Sequence, residues 1–333
     1  MKYLNISITI FTAVILIALL SACGNNQQKK QTAKQTKKES INVPRFNADS
    51  AYHFVAQQVA FGPRVPNTPA HDSCATYLKN TLLKYTSTVI VQKFQERAYN
   101  GTVLNGKNII ASFNPEQKKR VLLTSHWDSR PFADHDADES NHHTAIDGAN
   151  DGASGVGILL EIARLMAIQS PEVGVDIVFF DLEDYGVPYF EGYSDNDSWA
   201  LGSRYWANNP HNPSYTANFG ILLDMVGAKD PIFKMEYYSM YFAPDIVKKV
   251  WKRAGVLGYG STFLFEDGGM VMDDHIPVNK ILGIPMIDII HYDPSTESGF
   301  FPHWHTIKDN METINKVSLN MVGETLTHVV YYE

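Results

Sequence analysis

Three short segments, far apart in the chain, carry residue types that fit a single metal centre: Asn150-Asp151-Gly152, Asp181-Leu182-Glu183-Asp184 and His303-Trp304-His305-Thr306. Zinc takes imidazole nitrogen and carboxylate oxygen, and it keeps one position open when it is catalytic. Asp151, Asp184 and His305 supply three such ligands. Glu183 stands beside Asp184 after the apolar run Val175–Phe180, which predicts a buried strand. If the pleat continues, the two carboxylates project differently. One can then hold a metal while the other, Glu183, moves protons as a general base and then acid. Taken singly, each residue has a plainer explanation: a helix cap for Asp151, a solvated acid for Asp184, a packed core histidine for His305. Their joint occurrence at breaks in apolar runs favours the metal.

The elements that must position these residues alternate between strand and helix. Helices are predicted near 48–60, 69–84, 152–168, 200–208, 244–257 and 310–331. Strands are predicted near 88–94, 107–113, 120–126, 175–181, 219–225, 261–266 and 285–291. The segment 152–168 has Val156, Leu159, Leu160, Ala163 and Met166 on one helical face. This order predicts an α/β three-layer sandwich with a mixed, mostly parallel central sheet. Ligands in such sheets collect at the carboxyl ends of strands. His126, Asp128, Glu183, Asp184, Asp224 and Asp288 are expected there. Asp151 precedes a helix, whose dipole favours an anion.

The chain has 333 residues, 44% hydrophobic and 19% charged, enough for a sizeable core. A net charge of −8 argues against nucleic acid as a partner. The N-terminus has Lys2, an apolar run Ile8–Leu20, and then Leu20-Ser21-Ala22-Cys23-Gly24. The run is too short to span a bilayer and fits a signal peptide. The expected organisation is a lipoprotein signal peptide over 1–22, a flexible polar tether over 23–43, lipidated at Cys23, and one catalytic α/β domain over 44–333. That predicts an exported lipoprotein of a Gram-negative-type bacterium. It would face the periplasm, be anchored to the inner or outer membrane by lipid alone, and act as a tethered monomer. The lone remaining Cys74 has no disulfide partner. His135, His142 and His143 fall in an Asp/Asn-rich stretch and are expected to be solvated.

Several motifs resemble the zinc aminopeptidase superfamily, with its phosphorylase/hydrolase-like fold: Ser125-His126-Trp127-Asp128-Ser129, Asp147 to Gly155, Phe180 to Asp184, and Leu223-Asp224-Met225-Val226-Gly227. Met272 to Pro277, Trp304-His305-Thr306 and Leu201 to Arg204 resemble the animal-type (type II) glutaminyl cyclases, especially bacterial ones. That resemblance implies conversion of an N-terminal glutamine of a peptide or protein to pyroglutamate, with release of ammonia. It implies one zinc on Asp151, Asp184 and His305, Glu183 as proton carrier, and Asp224 and Asp273 in an acidic network beside it. Trp199 and Trp304 would wall the substrate pocket, and Asp288 would stand at a substrate-side position where the animal enzymes have a histidine. The alternative it leaves open is an aminopeptidase with two zincs, the second held by His126, Asp151 and Asp224. All five ligands of such a pair are present.

Overall fold

A computed structural model describes residues 41–333. The expected signal peptide, most of the expected tether and Cys23 lie outside the described residues. Two helices open the described chain, α1 (Ala48–Val59) and α2 (Pro69–Leu82), capped by Asn47 and Thr68. Strands β1 (Thr88–Arg97), β2 (Val103–Phe113) and β3 (Arg120–His126) follow. Then come α3 (Ala153–Ile168), β4 (Gly174–Phe180), α4 (Leu201–Asn208) and β5 (Phe219–Asp224). The last third contains β6 (Phe233–Met235), α5 (Tyr237–Phe242), α6 (Pro244–Val256) and β7 (Phe263–Asp267). It ends with the short α7 (His275–Pro277), β8 (Met286–Ile290) and α8 (Lys316–Tyr331).

The main sheet has the order β1-β2-β4-β3-β5-β8. Strands β4, β3, β5 and β8 run parallel, and β2 and β1 are added antiparallel at one edge. Alternation along the strands divides the core. Val121, Leu123, Ile177, Phe179, Ile221 and Leu223 face a large cluster with α1, α3, α6 and α8. Leu122, Val178, Phe180 and Leu222 face a smaller cluster with Trp206 of α4 and Val278. That is the three-layer α/β sandwich expected from the alternating apolar runs. Both faces of β4 are covered, which is why it reads as continuously apolar.

Some expectations shift. Helix α8 starts at Lys316 rather than near 310, because Asn315 caps it by accepting from the Val317 and Ser318 amides. The strand expected over 261–266 lies outside the main sheet and pairs with β6 in a two-stranded ribbon. Elements β6, α5 and α7 are too short to leave a periodic signal. Asn42 and Val43, given to the tether by composition, are already held: Asn42 exchanges hydrogen bonds with Gln169, and Val43 packs on the core.

Candidate metal and catalytic site

The carboxyl ends of β3, β4 and β5 meet the loop before α3 and the loop carrying His305. Each ligand candidate is set by a backbone-binding acid or amide behind it. The Asp309 carboxylate accepts from the Asn150 and Asp151 amides at 2.8 and 3.1 Å. Asn150 Oδ1 in turn accepts from the Gly227 and Ala228 amides just past β5. The Asp128 carboxylate accepts from the Glu183 and Asp184 amides, both at 3.2 Å. Gly152 is required beside Asp151, because a Cβ there would strike the His126 carbonyl and ring. Left-handed backbone at the non-glycine residues Leu182, Ala200, Met225 and His305 clusters around this cavity. Such conformations concentrate where surrounding structure enforces a functional geometry.

Asp151, Asp184 and His305 converge, each offering a ligand atom within 4.8 Å of the others, and all three are buried. His305 Nε2 lies 3.2 Å from Asp184 Oδ1 and 3.6 Å from Asp151 Oδ2, while its Nδ1 lies 3.4 Å from Asp134 Oδ1. Neither Asp184 oxygen has a hydrogen-bond partner, although the residue is 1% exposed. Two buried carboxylates facing one another are costly without a cation. The trio therefore fits zinc by donor type, by convergence and by its unsatisfied oxygens. A second group shares Asp151: His126 Nε2 lies 2.9 Å from Asp151 Oδ1 and 3.2 Å from Asp224 Oδ1.

A cavity of about 280 Å³ opens on this centre, lined by Asp151, Glu183, Trp199, Asp224, Asp273, Phe300, Trp304 and His305 among others. Trp304 stacks on the His305 ring at 3.7 Å between centroids, and Trp199 lies parallel to that ring at 6.0 Å. Burial, and then the facing Asp273, push the Glu183 carboxyl well above the ordinary glutamate range. Burial and the Asp151 charge raise Asp224 to about 7. Asp151 moves down despite its burial, because His126 hydrogen-bonds to it.

Asp288 is a correction. It is fully buried within β8 and does not line the cavity. Its carboxylate lies within 4.8 Å of donor atoms of Asp273 and His275. His135 also departs from expectation. It is packed between Tyr189 and Trp304, and its amide donates to the His305 carbonyl at 3.1 Å.

Sequence reasoning missed several supporting residues. Arg130 is fully buried, pairs through two 2.7 Å bonds with Asp134, and donates to the Asp184 carbonyl at 3.0 Å. It also lies beneath the Trp199 ring, 4.6 Å from its centroid. Its signal was present, since it directly follows Ser125–Ser129. Asp309 gave none: it is a lone acid in an unremarkable stretch.

A model of peptidase family M28 matches residues 108–330. Among solved structures, Bacteroides thetaiotaomicron glutaminyl cyclase bound to N-acetylhistamine is 56% identical, with a TM-score of 0.86, over 88% of this chain and 100% of that one. A Zn-dependent exopeptidase from Parabacteroides distasonis is 53% identical with a TM-score of 0.86, over 88% of this chain and 100% of that one. The glutaminyl-peptide cyclotransferase of Bos taurus is 28% identical over 249 residues, 66% of this chain and 64% of that protein. The match thus spans a little under two thirds of the bovine protein's length.

Proposed function

The chain belongs to peptidase family M28, and from that membership and the geometry of its site we propose that it is a zinc-dependent glutaminyl cyclase, converting an N-terminal glutamine of peptides or proteins to pyroglutamate. The observation that carries this reading is the buried Glu183, which lines with Asp273 a cavity walled by Trp199 and Trp304, in a chain 56% identical to a glutaminyl cyclase over that protein's full length.

Asp151, Asp184 and His305 would hold the metal. Bound zinc supplies a Lewis-acid charge beside the γ-carbonyl of the substrate glutamine. The cavity's aromatic walls orient the glutamine side chain and exclude water, which is not a reactant. Glu183 accepts a proton from the α-amine as that nitrogen bonds to the γ-carboxamide carbon. The carbon–nitrogen bond of the carboxamide then breaks, and Glu183 returns the proton to the departing nitrogen, which leaves as ammonia. Burial suits Glu183 to both halves, because a raised pKa makes its carboxylate a stronger base toward the amine and keeps the carboxyl protonated until the departing nitrogen takes the proton. Asp224 and Asp273, lining the same cavity, hold the acidic network that tunes it.

One zinc is the finer reading. Both Asp184 oxygens have no donor, whereas Asp224 already takes a hydrogen bond from His126. The second reading, a two-zinc aminopeptidase, is favoured by the His126, Asp151 and Asp224 group, which completes a second set of ligands. Incubation of the purified protein with Gln-Xaa and Leu-Xaa peptides separates the two. Ammonia from the glutamine peptide with no freed amino acid, and about one zinc per chain, are expected. Free leucine and two zincs would establish the peptidase instead.

Export and lipid attachment at Cys23, with the domain facing the periplasm, complete the proposal. The support is Lys2, the apolar run to Leu20 and the small residues before Cys23. Palmitate labelling that is lost in Cys23→Ser is the expected result.

A further inference from the structure

The end of the sheet opposite the site carries the clearest unexplained feature of the surface. Between residues 41 and 333 the chain has 22 Lys and Arg against 35 Asp and Glu. Against that acidic background, basic residues gather at one place. Lys248, Lys249, Lys252 and Arg253 lie along α6, with Lys248, Lys249 and Lys252 on its exposed face. Lys118 and Lys119 lie in the turn that enters β3. The two groups are joined in space: Lys119 and Lys249 both reach Glu333. Lys118, Lys248 and Lys252 form no ion pair among the described residues, and the acids near these lysines include Glu116, Glu172, Asp245 and Glu333. A groove of about 460 Å³ beside α6 is lined by Lys249, Lys252, Arg253, Val256, Val329, Tyr332 and Glu333. Val256 is 77% exposed, so the face offers cations with an apolar residue among them.

This is also where the chain leaves the domain toward its N-terminus. Asn42 is hydrogen-bonded to Gln169, and the Gln169 carbonyl accepts from the Tyr331 hydroxyl, two residues before Glu333. Outside the described residues the sequence also has Lys29, Lys30, Lys34, Lys37 and Lys38. The site points the other way. Strand β5 begins at Phe219, whose ring lies 4.8 Å from Lys249 Nζ, and ends at Asp224 on the cavity. At about 3.3 Å per residue the strand separates the two by roughly 17 Å.

We propose that this basic end of the sheet is a docking face for an anionic phospholipid membrane, which holds the domain against the bilayer with its catalytic cavity turned outward. Basic clusters beside a membrane are drawn to anionic headgroups within a Debye length. A weak attraction suffices here. A lipid on Cys23, 18 positions before Ile41, would keep the face at high local concentration near the bilayer. The orienting role rests on the lipid anchor proposed above; the attraction itself does not.

The test uses residues 41–333, without the tether lysines. The segment suits an isolated assay, since the full length of the Bacteroides crystal structure corresponds to 88% of this chain. The protein is sedimented with phosphatidylglycerol–phosphatidylcholine vesicles and with phosphatidylcholine vesicles, at low and high salt. Expected are binding to the anionic vesicles alone, release by salt, and a loss of about tenfold or more in partition for Lys118→Glu/Lys248→Glu/Lys252→Glu. Turnover of a glutamine peptide by that variant is expected to be unchanged, which shows that it is folded. Binding that ignores phosphatidylglycerol, or a variant that partitions like the parent, overturns the proposal. Palmitate labelling of the full chain reads the anchor independently, so its failure is distinguishable from failure of the face.

Discussion

Strand β4 enters with one buried acid, Asp176, and leads out to another, Asp184, and the protein treats them in opposite ways. Each is 1% exposed. Asp176 accepts two 2.7 Å bonds from Arg120, one of 2.6 Å from Ser112 and one of 3.0 Å from Tyr215, so its lone pairs are filled. Asp184 has no hydrogen-bond donor on either oxygen; its nearest cations are His305 at 3.2 Å and Arg130 at 3.6 Å. A filled carboxylate ties elements together, whereas one left open by its surroundings awaits something they do not contain. The same contrast separates Asp128, Asp181 and Asp309, which all bind backbone amides, from Glu183 on the cavity.

The widest way to break that contrast is to remove both acids in parallel. Asp176→Ala strands the Arg120 guanidinium and should cost about 3–5 kcal/mol of stability. Its zinc content, scaled to folded protein, should not change. Asp184→Ala should do the reverse: zinc lost on dialysis, and a metal-free melting temperature equal to or above that of the parent. Equal destabilisation by both, read by thermal melts and metal analysis, would erase the distinction.

Glu183→Gln probes the other member of the pair. Zinc content and melting temperature should stay, while kcat for ammonia release falls by about a hundredfold or more. Retained turnover would remove Glu183 from proton transfer. The smallest effect is expected from Asp309→Ala, which frees the Asn150 and Asp151 amides without touching a ligand atom. Zinc affinity should weaken by about tenfold, as for other groups that orient ligands. A competitive chelator titration reads it, and an unchanged affinity would make Asp309 a purely structural residue.

Much of this was legible beforehand because local chemistry dictated it. The apolar runs of β3, β4 and β5 could only be buried, and ligands of such sheets sit at strand ends, so His126, Glu183 and Asp224 were found together. Asp288 shows the limit. It too lies on a strand with the right residue type, yet it is buried outside the lining of the cavity, and one residue of register separates the two outcomes. Arg130 and Asp309 were missed because a residue that positions a ligand does so through its spatial neighbours, and Asp309 lies 158 positions from the Asp151 amide it holds.

The sequence by itself determined the layered fold, the identity of the candidate ligands and the presence of a free carboxyl beside them, since these follow from periodicity and donor chemistry. Only the tertiary structure decided which acids are filled and which are left open, and that the basic end of the sheet lies opposite the cavity. Those are properties of distance between segments remote in the chain, which no local pattern encodes.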